Sequence, residues 1–172
     1  MKIQAIALSV FIFVGVGCSS EKPTPTSSTP PVSETTKPQL QTNPVLVRAK
    51  SSPGAKVFIM DLKDNQLVTS PLTVKFGSEG VEIAKAGEVK DNSGHFHLLI
   101  DVDTLPAMDQ PIPNNEHMLH FGQGQTEATI TLSPGPHTLQ LLLAGGNHVP
   151  NDPPVMSEKI HIIVEKSEET KP

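Results

Sequence analysis

Hydrophobic and polar residues alternate over several short stretches between residues 55 and 164, as in β-strands that bury one face. The clearest stretch is GHFHLLIDV at 94–102, in which one row is apolar and belongs in a core: Phe96, Leu98, Ile100 and Val102. The opposite row begins with His95 and His97, which lie roughly 7 Å apart at the usual strand rise. We therefore predict a strand over 95–102 that turns two imidazoles outward.

A short apolar run at 57–60 and alternating runs at 72–76, 81–83, 126–132, 137–143 and 156–164 predict six further strands. Glycine, proline and asparagine interrupt the chain between them, and no segment has the periodicity of a helix. The pattern predicts an all-β fold, an antiparallel β-sandwich of about seven strands with an immunoglobulin-like topology. That topology rests on strand count, because the cysteine and tryptophan hallmarks are missing, and a β-barrel is the alternative.

The first 17 residues are predicted to be a signal peptide. Lys2 precedes an apolar run at 3–16, which is short for a membrane span of about 20 residues. A small residue then precedes Cys18, the only cysteine, and this arrangement resembles the lipidation site of bacterial lipoproteins. Lipidation of Cys18 is therefore predicted, with ordinary secretion as the alternative, and an internal disulfide is excluded.

The rest of the chain is predicted to have three parts. Residues 18–54 contain the lipidated cysteine and a tether rich in Pro, Thr and Ser, which has too little apolar surface to fold. A proline-rich recognition ligand is the alternative for this stretch. The β-sandwich domain follows at 55–164, and a charged tail at 165–172. In lipoproteins of this kind Ser19 implies sorting to the outer membrane, so we expect a location in the cell envelope, facing the periplasm or at the cell surface.

Composition narrows the classes of partner. The chain has six Phe but neither Trp nor Tyr, and its formal net charge is −5. Single-stranded nucleic acid needs aromatic platforms and a basic groove, so nucleic acid is not an expected partner. The expected partners are the membrane, through the lipid anchor, and another envelope protein.

Three sequence elements together resemble a known family: GHFH at 94–97, HFGQGQTE at 120–127 and PGPHTLQL at 134–141. They are similar to bacterial exported domains of the domain of unknown function 4399 family, over about residues 56–164. The resemblance implies an extracytoplasmic β-domain behind a signal peptide and implies no established activity. Members of the family often have a third histidine in the first element, where this chain has Phe96.

Five of the seven histidines are candidate metal ligands: His95, His97, His117, His120 and His148. Imidazole nitrogen suits zinc, copper and nickel. His95 and His97 share a strand face, whereas His117 and His120 have an odd spacing and converge only if the chain turns between them. The thioethers of two methionines, Met118 and Met156, would favour copper(I).

A structural role is the alternative for each histidine. His120 and His148 would then order loops, while His137 would belong to the core or its rim and His161 would be solvated. Catalytic patterns fit the chain less well. GQGQTE at 122–127 lacks the lysine of a phosphate loop, and the carboxylate pair at 101 and 103 has no aromatic platform for a sugar. No GxSxG elbow is present.

The sequence therefore predicts a lipid-anchored envelope β-sandwich that is not an enzyme, needs no cofactor, and acts in binding or scaffolding through loops at 103–116 and 145–155. The alternative is a histidine-based protein that binds or handles copper or zinc in the periplasm, and an oxidoreductase would depend on that same metal. Four or more imidazoles in one shell would favour the metal protein. Imidazoles bonded singly to backbone carbonyls would favour the scaffold.

Overall fold

The computed structural model describes residues 46–166. This part of the chain forms nine β-strands and no helix, with these bounds: β1 Lys56–Met60, β2 Gln66–Val68, β3 Leu72–Glu79, β4 Glu82–Ile83, β5 Ser93–Ile100, β6 Met118–Phe121, β7 Glu127–Ile130, β8 Gly135–Ala144 and β9 Ile160–Val164. Within the described range there is accordingly no apolar helix long enough to cross a bilayer. The predicted signal peptide, Cys18, the tether up to residue 45 and the tail from 167 to 172 lie outside the described residues.

The strands form two sheets, which confirms the predicted all-β sandwich and excludes a closed barrel for the described domain. One sheet has the strand order β1-β3-β7. The other has the order β2-β9-β8-β5, with β4 and β6 both paired to β5. All seven predicted strands are present. The two additional strands, β2 and β6, have only three and four residues, too few for an alternating pattern to stand out.

Two strand pairings differ from the predicted antiparallel arrangement. β2 runs parallel to β9, and β4 runs parallel to β5. The other strand pairings of both sheets are antiparallel. β2 and β4 are short edge strands, and neither is joined to its partner by a hairpin. Residues 84–92, for example, carry the chain from the end of β4 back to the start of β5, as a parallel pair requires.

The core between the sheets is aliphatic apart from three phenylalanines. The ring centroid of Phe76 lies 5.3 Å from that of Phe96 and 5.0 Å from that of Phe121. Phe96, Leu98 and Ile100 of β5 are all buried in this core, as the alternation predicts. The aromatic contacts join β3 of the small sheet to β5 and β6 of the large one.

The opposite face of β5 is also buried, and the prediction that its imidazoles point into solvent is wrong. His95 and His97 are 0% and 1% exposed. Loops at 101–117 and 145–159 cover this face, and a second apolar cluster forms there from Leu99, Val102, Ile112, Leu142 and Ala144. Alternation predicts which side chains share a face of a strand, but it does not predict whether distant loops cover that face.

Val102 belongs to this second cluster and not to the core between the sheets, where the alternation predicts it. The strand ends at Ile100, and Asp101 has a left-handed backbone with φ 55°. The turn changes the direction of the following side chain, so the period of two fails at the end of β5.

Residues 46–52 lie against the sandwich, although their composition predicts that they belong to the tether. We call this segment the strap. Ala49 is fully buried, and Lys50 forms an isolated bridge with Asp152. The strap, which precedes the predicted boundary at residue 55, therefore contacts the sandwich.

Candidate metal centre

Two neighbouring strands bring three histidines together. His95 and His97 are two residues apart in β5 and so lie on one face of the sheet. β6 pairs antiparallel with β5 and places His120 directly opposite His97. Cross-strand partners have Cβ atoms about 5 Å apart, which allows their rings to touch. The ring centroids of His97 and His120 are 5.1 Å apart.

His148 reaches the same face from residues 145–152, which we call the His148 loop. The chain reverses there through a turn in which His148 N donates to Gly145 O at 2.8 Å. His148 has a left-handed backbone with φ 66°, which is unfavourable for a residue with a side chain and persists only where the surroundings impose it. Its ring centroid lies 4.7 Å from that of His120 and 5.1 Å from that of His95.

These four imidazoles form one compact group, which we call the four-histidine cluster. One ring nitrogen of each lies within 4.8 Å of the others. His95 Nε2 is 3.2 Å from His97 Nε2 and 3.2 Å from His148 Nδ1. Among residues 46–166, no carboxylate or thiolate joins this group. The donor set is therefore made of imidazole nitrogen.

Hydrogen bonds do not satisfy these rings. An imidazole nitrogen has one in-plane position, which holds either a proton or a lone pair. His95 Nε2 can therefore hydrogen-bond to His97 or to His148, but not to both. In addition, Nδ1 of His95, Nδ1 of His97 and Nε2 of His120 are buried without a hydrogen-bond partner in the described protein. A cation among the rings would accept the Nε2 lone pairs of His95 and His97 and so remove the conflict at His95 Nε2.

Burial favours the neutral form of three of the four imidazoles. Burial, and after it the charges of the neighbouring imidazoles, lowers the pKa of His95 to about 4 and the pKa of His97 to about 3. Burial and the ring of His148 also lower the pKa of His120. Neutral imidazole is the form that binds metal ions, because a protonated nitrogen has no lone pair to donate.

Small residues make room for the rings. A Cβ at Gly122 would lie 2.3 Å from both Cε1 and Nε2 of His120, so a glycine is needed to leave that ring in place. Ala86 N donates to Gly122 O at 2.9 Å, and Gly87 N donates to Gly146 O at 2.8 Å. Residues 86–87 thus connect the end of β6 to the His148 loop. Sequence reasoning missed Gly122, whose only signal is its position two residues after a candidate ligand.

His117 is the one of the five candidate ligands that lies outside the four-histidine cluster. It precedes β6, and its Nδ1 hydrogen-bonds to Ile100 O at 3.1 Å. Its Nε2 lies 3.7 Å from the carboxylate of Glu116. His117 lies in the turn before β6 and not in the strand, so strand alternation does not apply to its ring, which faces Ile100 O instead of the cluster.

The two remaining histidines bond to their own acceptors. His137 Nδ1 donates to the Asp101 carboxylate at 2.7 Å, and its Nε2 donates to Ser133 O at 2.8 Å. Both partners are acceptors, so these bonds favour the protonated ring: partial burial lowers the pKa of His137, but the bonds to Asp101 and Ser133 outweigh burial and raise it. His161 is exposed and hydrogen-bonds to Asp64 at 3.0 Å. These bonds agree with the structural roles predicted for both.

The other predicted groups lie elsewhere or have other partners. Met118 packs against the second apolar cluster, and Met156 is exposed. The Asp101 carboxylate is engaged by His137 and by the backbone N of Thr138. GQGQTE forms the turn between β6 and β7, with Gly124 in a left-handed conformation.

Comparison with known proteins finds one family. The family model described as Domain of unknown function (DUF4399) matches residues 74–165, which is 92 of the 172 residues. The match contains all four members of the cluster and confirms the resemblance predicted from the three sequence elements, although it begins later than residue 56. Neither the comparison with curated proteins nor that with solved structures gave a match.

Proposed function

Since this chain belongs to the DUF4399 family of domains of unknown function, we propose its function from the geometry of the site: it binds one zinc or copper ion. The proposed ligands are the members of the four-histidine cluster: His95, His97, His120 and His148. The observation that carries the proposal is their convergence, with one ring nitrogen of each within 4.8 Å of the others. Purely structural roles would leave this convergence unexplained.

The spacing of the nitrogens supports a tetrahedral ion. With Zn–N bonds of about 2.0–2.1 Å, the ligand nitrogens of a tetrahedral zinc ion lie about 3.3 Å apart. The two contacts of His95 Nε2, with His97 and with His148, are both 3.2 Å. These two pairs already have the required separation, and the remaining ligand nitrogens lie within 4.8 Å of one another.

The donor set limits the class of ion. Calcium and magnesium prefer oxygen ligands, whereas imidazole nitrogen suits zinc and copper. The described cluster contains four imidazoles and neither a carboxylate nor a thiolate. Zinc and copper are also the ions that an exported protein would meet directly.

The exposure of the ligands supports capture of the ion. His95 and His97 are buried, whereas His120 and His148 are partly exposed. An ion would enter past the exposed pair and then reach the buried pair. Four protein ligands fill a tetrahedral shell and leave no position for a substrate, so this arrangement fits a binding site better than a catalytic one.

The location predicted from the N-terminal sequence completes the proposal. Lipid attachment at Cys18 would hold the domain in the cell envelope, where it would bind the ion. The loops at 103–116 and 145–155, predicted as a surface for an envelope partner, contribute to the cover of the histidine face. Under this proposal their first role is to enclose the metal, and an envelope partner would bind their outer surface.

Calorimetric titration of the metal-free protein with Zn²⁺ and with Cu²⁺ tests the proposal. We expect one ion per chain with micromolar or tighter affinity. His97→Ala should weaken binding by at least about a hundredfold, because loss of a ligand exceeds the loss of roughly 10–100-fold caused by outer-shell changes. His117→Ala is the matched control and should bind like the wild type. Absence of binding by the wild type, or equal losses in the two variants, would contradict the proposal.

A further inference from the structure

The strap is hydrogen-bonded to the His148 loop on both sides of His148. On the N-terminal side, Asn147 Nδ2 donates to Val47 O at 2.7 Å, across 100 residues of sequence. On the C-terminal side, Asp152 N donates to Ala49 O at 2.8 Å. The strap therefore holds both ends of the segment that carries His148.

The guanidinium of Arg48 also binds the His148 loop. Its Nε donates to Pro150 O at 2.9 Å, and its Nη2 donates to Asn151 O at 2.5 Å. Its Nη1 lies 3.4 Å from the carboxylate of Asp152. One planar guanidinium thus contacts three consecutive residues, an arrangement that the single ammonium of a lysine cannot reproduce.

The strap also packs against the turn that precedes His148. Ala49 is fully buried, and a Cβ at Gly145 would lie 3.1 Å from the Cβ of Ala49. Gly145 closes the turn, because its carbonyl oxygen accepts from His148 N and its own N donates to Val149 O at 3.0 Å. Movement of the strap would therefore loosen the first residue of the turn.

His148 is the one member of the four-histidine cluster that no strand holds. Its backbone is left-handed, with φ 66°, and such a conformation needs support from its surroundings. Building on the proposed function, we propose that the strap is a positioning element for His148, with Arg48 as its principal residue. The strap keeps the fourth ligand within reach of the ion. Because coupling between sites is reciprocal, capture of the ion also tightens the strap.

Arg48→Ala tests this role, with Co²⁺ as a spectroscopic probe of the coordination shell. The wild type should show the intense visible bands of a four-coordinate nitrogen site. Arg48→Ala should bind Co²⁺ about tenfold more weakly, as outer-shell changes do, and its bands should weaken as water replaces His148. Arg48→Lys should recover little of either property. Lys75→Ala, which removes an exposed ion pair with Asp61 on the other sheet, is the matched control and should change neither.

Hydrogen exchange gives a second readout that uses only the wild-type protein. Zn²⁺ should slow exchange of the Ser51 and Asp152 amides, which bond across the strap and the His148 loop, by about tenfold or more. Amides that pair β1 with β3 should exchange at an unchanged rate.

The outcomes separate the two proposals. The role of the strap would be overturned if Arg48→Ala kept the wild-type Co²⁺ bands and affinity. It would also be overturned if Zn²⁺ bound to the wild type without changing the exchange rates of the strap amides. Either result would leave the four-histidine site unaffected. A wild type that binds neither Co²⁺ nor Zn²⁺ would overturn both.

Discussion

The four-histidine cluster lowers the stability of the described fold, because several of its ring nitrogens are buried without hydrogen bonds. Three buried ring nitrogens have no hydrogen-bond partner in the described part of the chain. A buried polar atom left in this way costs about 1–3 kcal/mol. Apolar side chains of similar volume at the same positions would avoid this cost. The histidines are therefore better explained by a ligand than by their contribution to stability.

Gly122→Ala should damage the site and spare the fold. The new Cβ would lie 2.3 Å from two atoms of the His120 ring, which would have to move away. Gly122 does not have a left-handed backbone, so alanine strains the main chain little. We expect zinc affinity to fall by about tenfold or more, with little change in the urea midpoint of the metal-free protein. Wild-type affinity measured by calorimetry would show that His120 is not a ligand.

At the scale of the elements, alternation predicts strands well and says little about what covers them. The row of β5 that begins with Phe96 lies in the core as predicted. The row that begins with His95 is buried too, because loops from distant parts of the sequence fold over it. The sequence around β5 does not indicate that those loops cover the strand.

The candidate site was predictable where strand geometry applies. The spacing of His95 and His97 implies a shared face, whereas the odd spacing of His117 and His120 lets both reach one face only if the chain turns between them. Pairing of β6 with β5 decides that His120 is the one that joins. His148 enters through a turn stabilised by tertiary contacts, so its residue type made it a candidate but no spacing rule placed it beside the others.

Two matched substitutions should show that the loops at 101–117 and 145–159, which we call the loop layer, keep water from the four-histidine cluster, and that the core between the sheets does not. Ile112 belongs to the second apolar cluster and is 5% exposed, whereas Val74 belongs to the inter-sheet core and is 0% exposed. Replacement of either by alanine should lower the free energy of unfolding by about 2 kcal/mol. Only Ile112→Ala should raise the pKa of His97 from about 3 toward 6.5, because water then reaches the ring.

An NMR pH titration of the imidazole signals measures this pKa in both variants. A rise of equal size in Val74→Ala would contradict the assignment of cover to the loop layer. No rise in Ile112→Ala would contradict it as well.

At the scale of the whole molecule, the neutral buried histidines make the metal-free protein sensitive to acid. His95 and His97 have a pKa of 6.5 in the unfolded chain and of about 4 and about 3 in the folded one. Between these values the unfolded chain binds more protons. The free energy of unfolding is therefore highest above pH 6.5 and falls as the pH drops toward 4. The fall is at most about 1.4 kcal/mol per pH unit for each histidine.

Urea unfolding from neutral pH to about pH 4.5 measures this dependence. His97→Gln, which is neutral throughout, should show a shallower decline than the wild type. His161→Gln removes an exposed histidine and should keep the wild-type decline. Identical declines in all three proteins would mean that His97 is accessible to protons in the folded state.

The cover over the outer face of β5 has a consequence for kinetics. The two sheets share the inter-sheet core, whereas the cover is a third layer held by its own smaller apolar cluster. Such a layer can detach in a subglobal opening while the sandwich beneath it stays folded. The residence time of a bound ion would then follow the opening rate of that layer, and a thermally robust domain could still exchange its ion quickly.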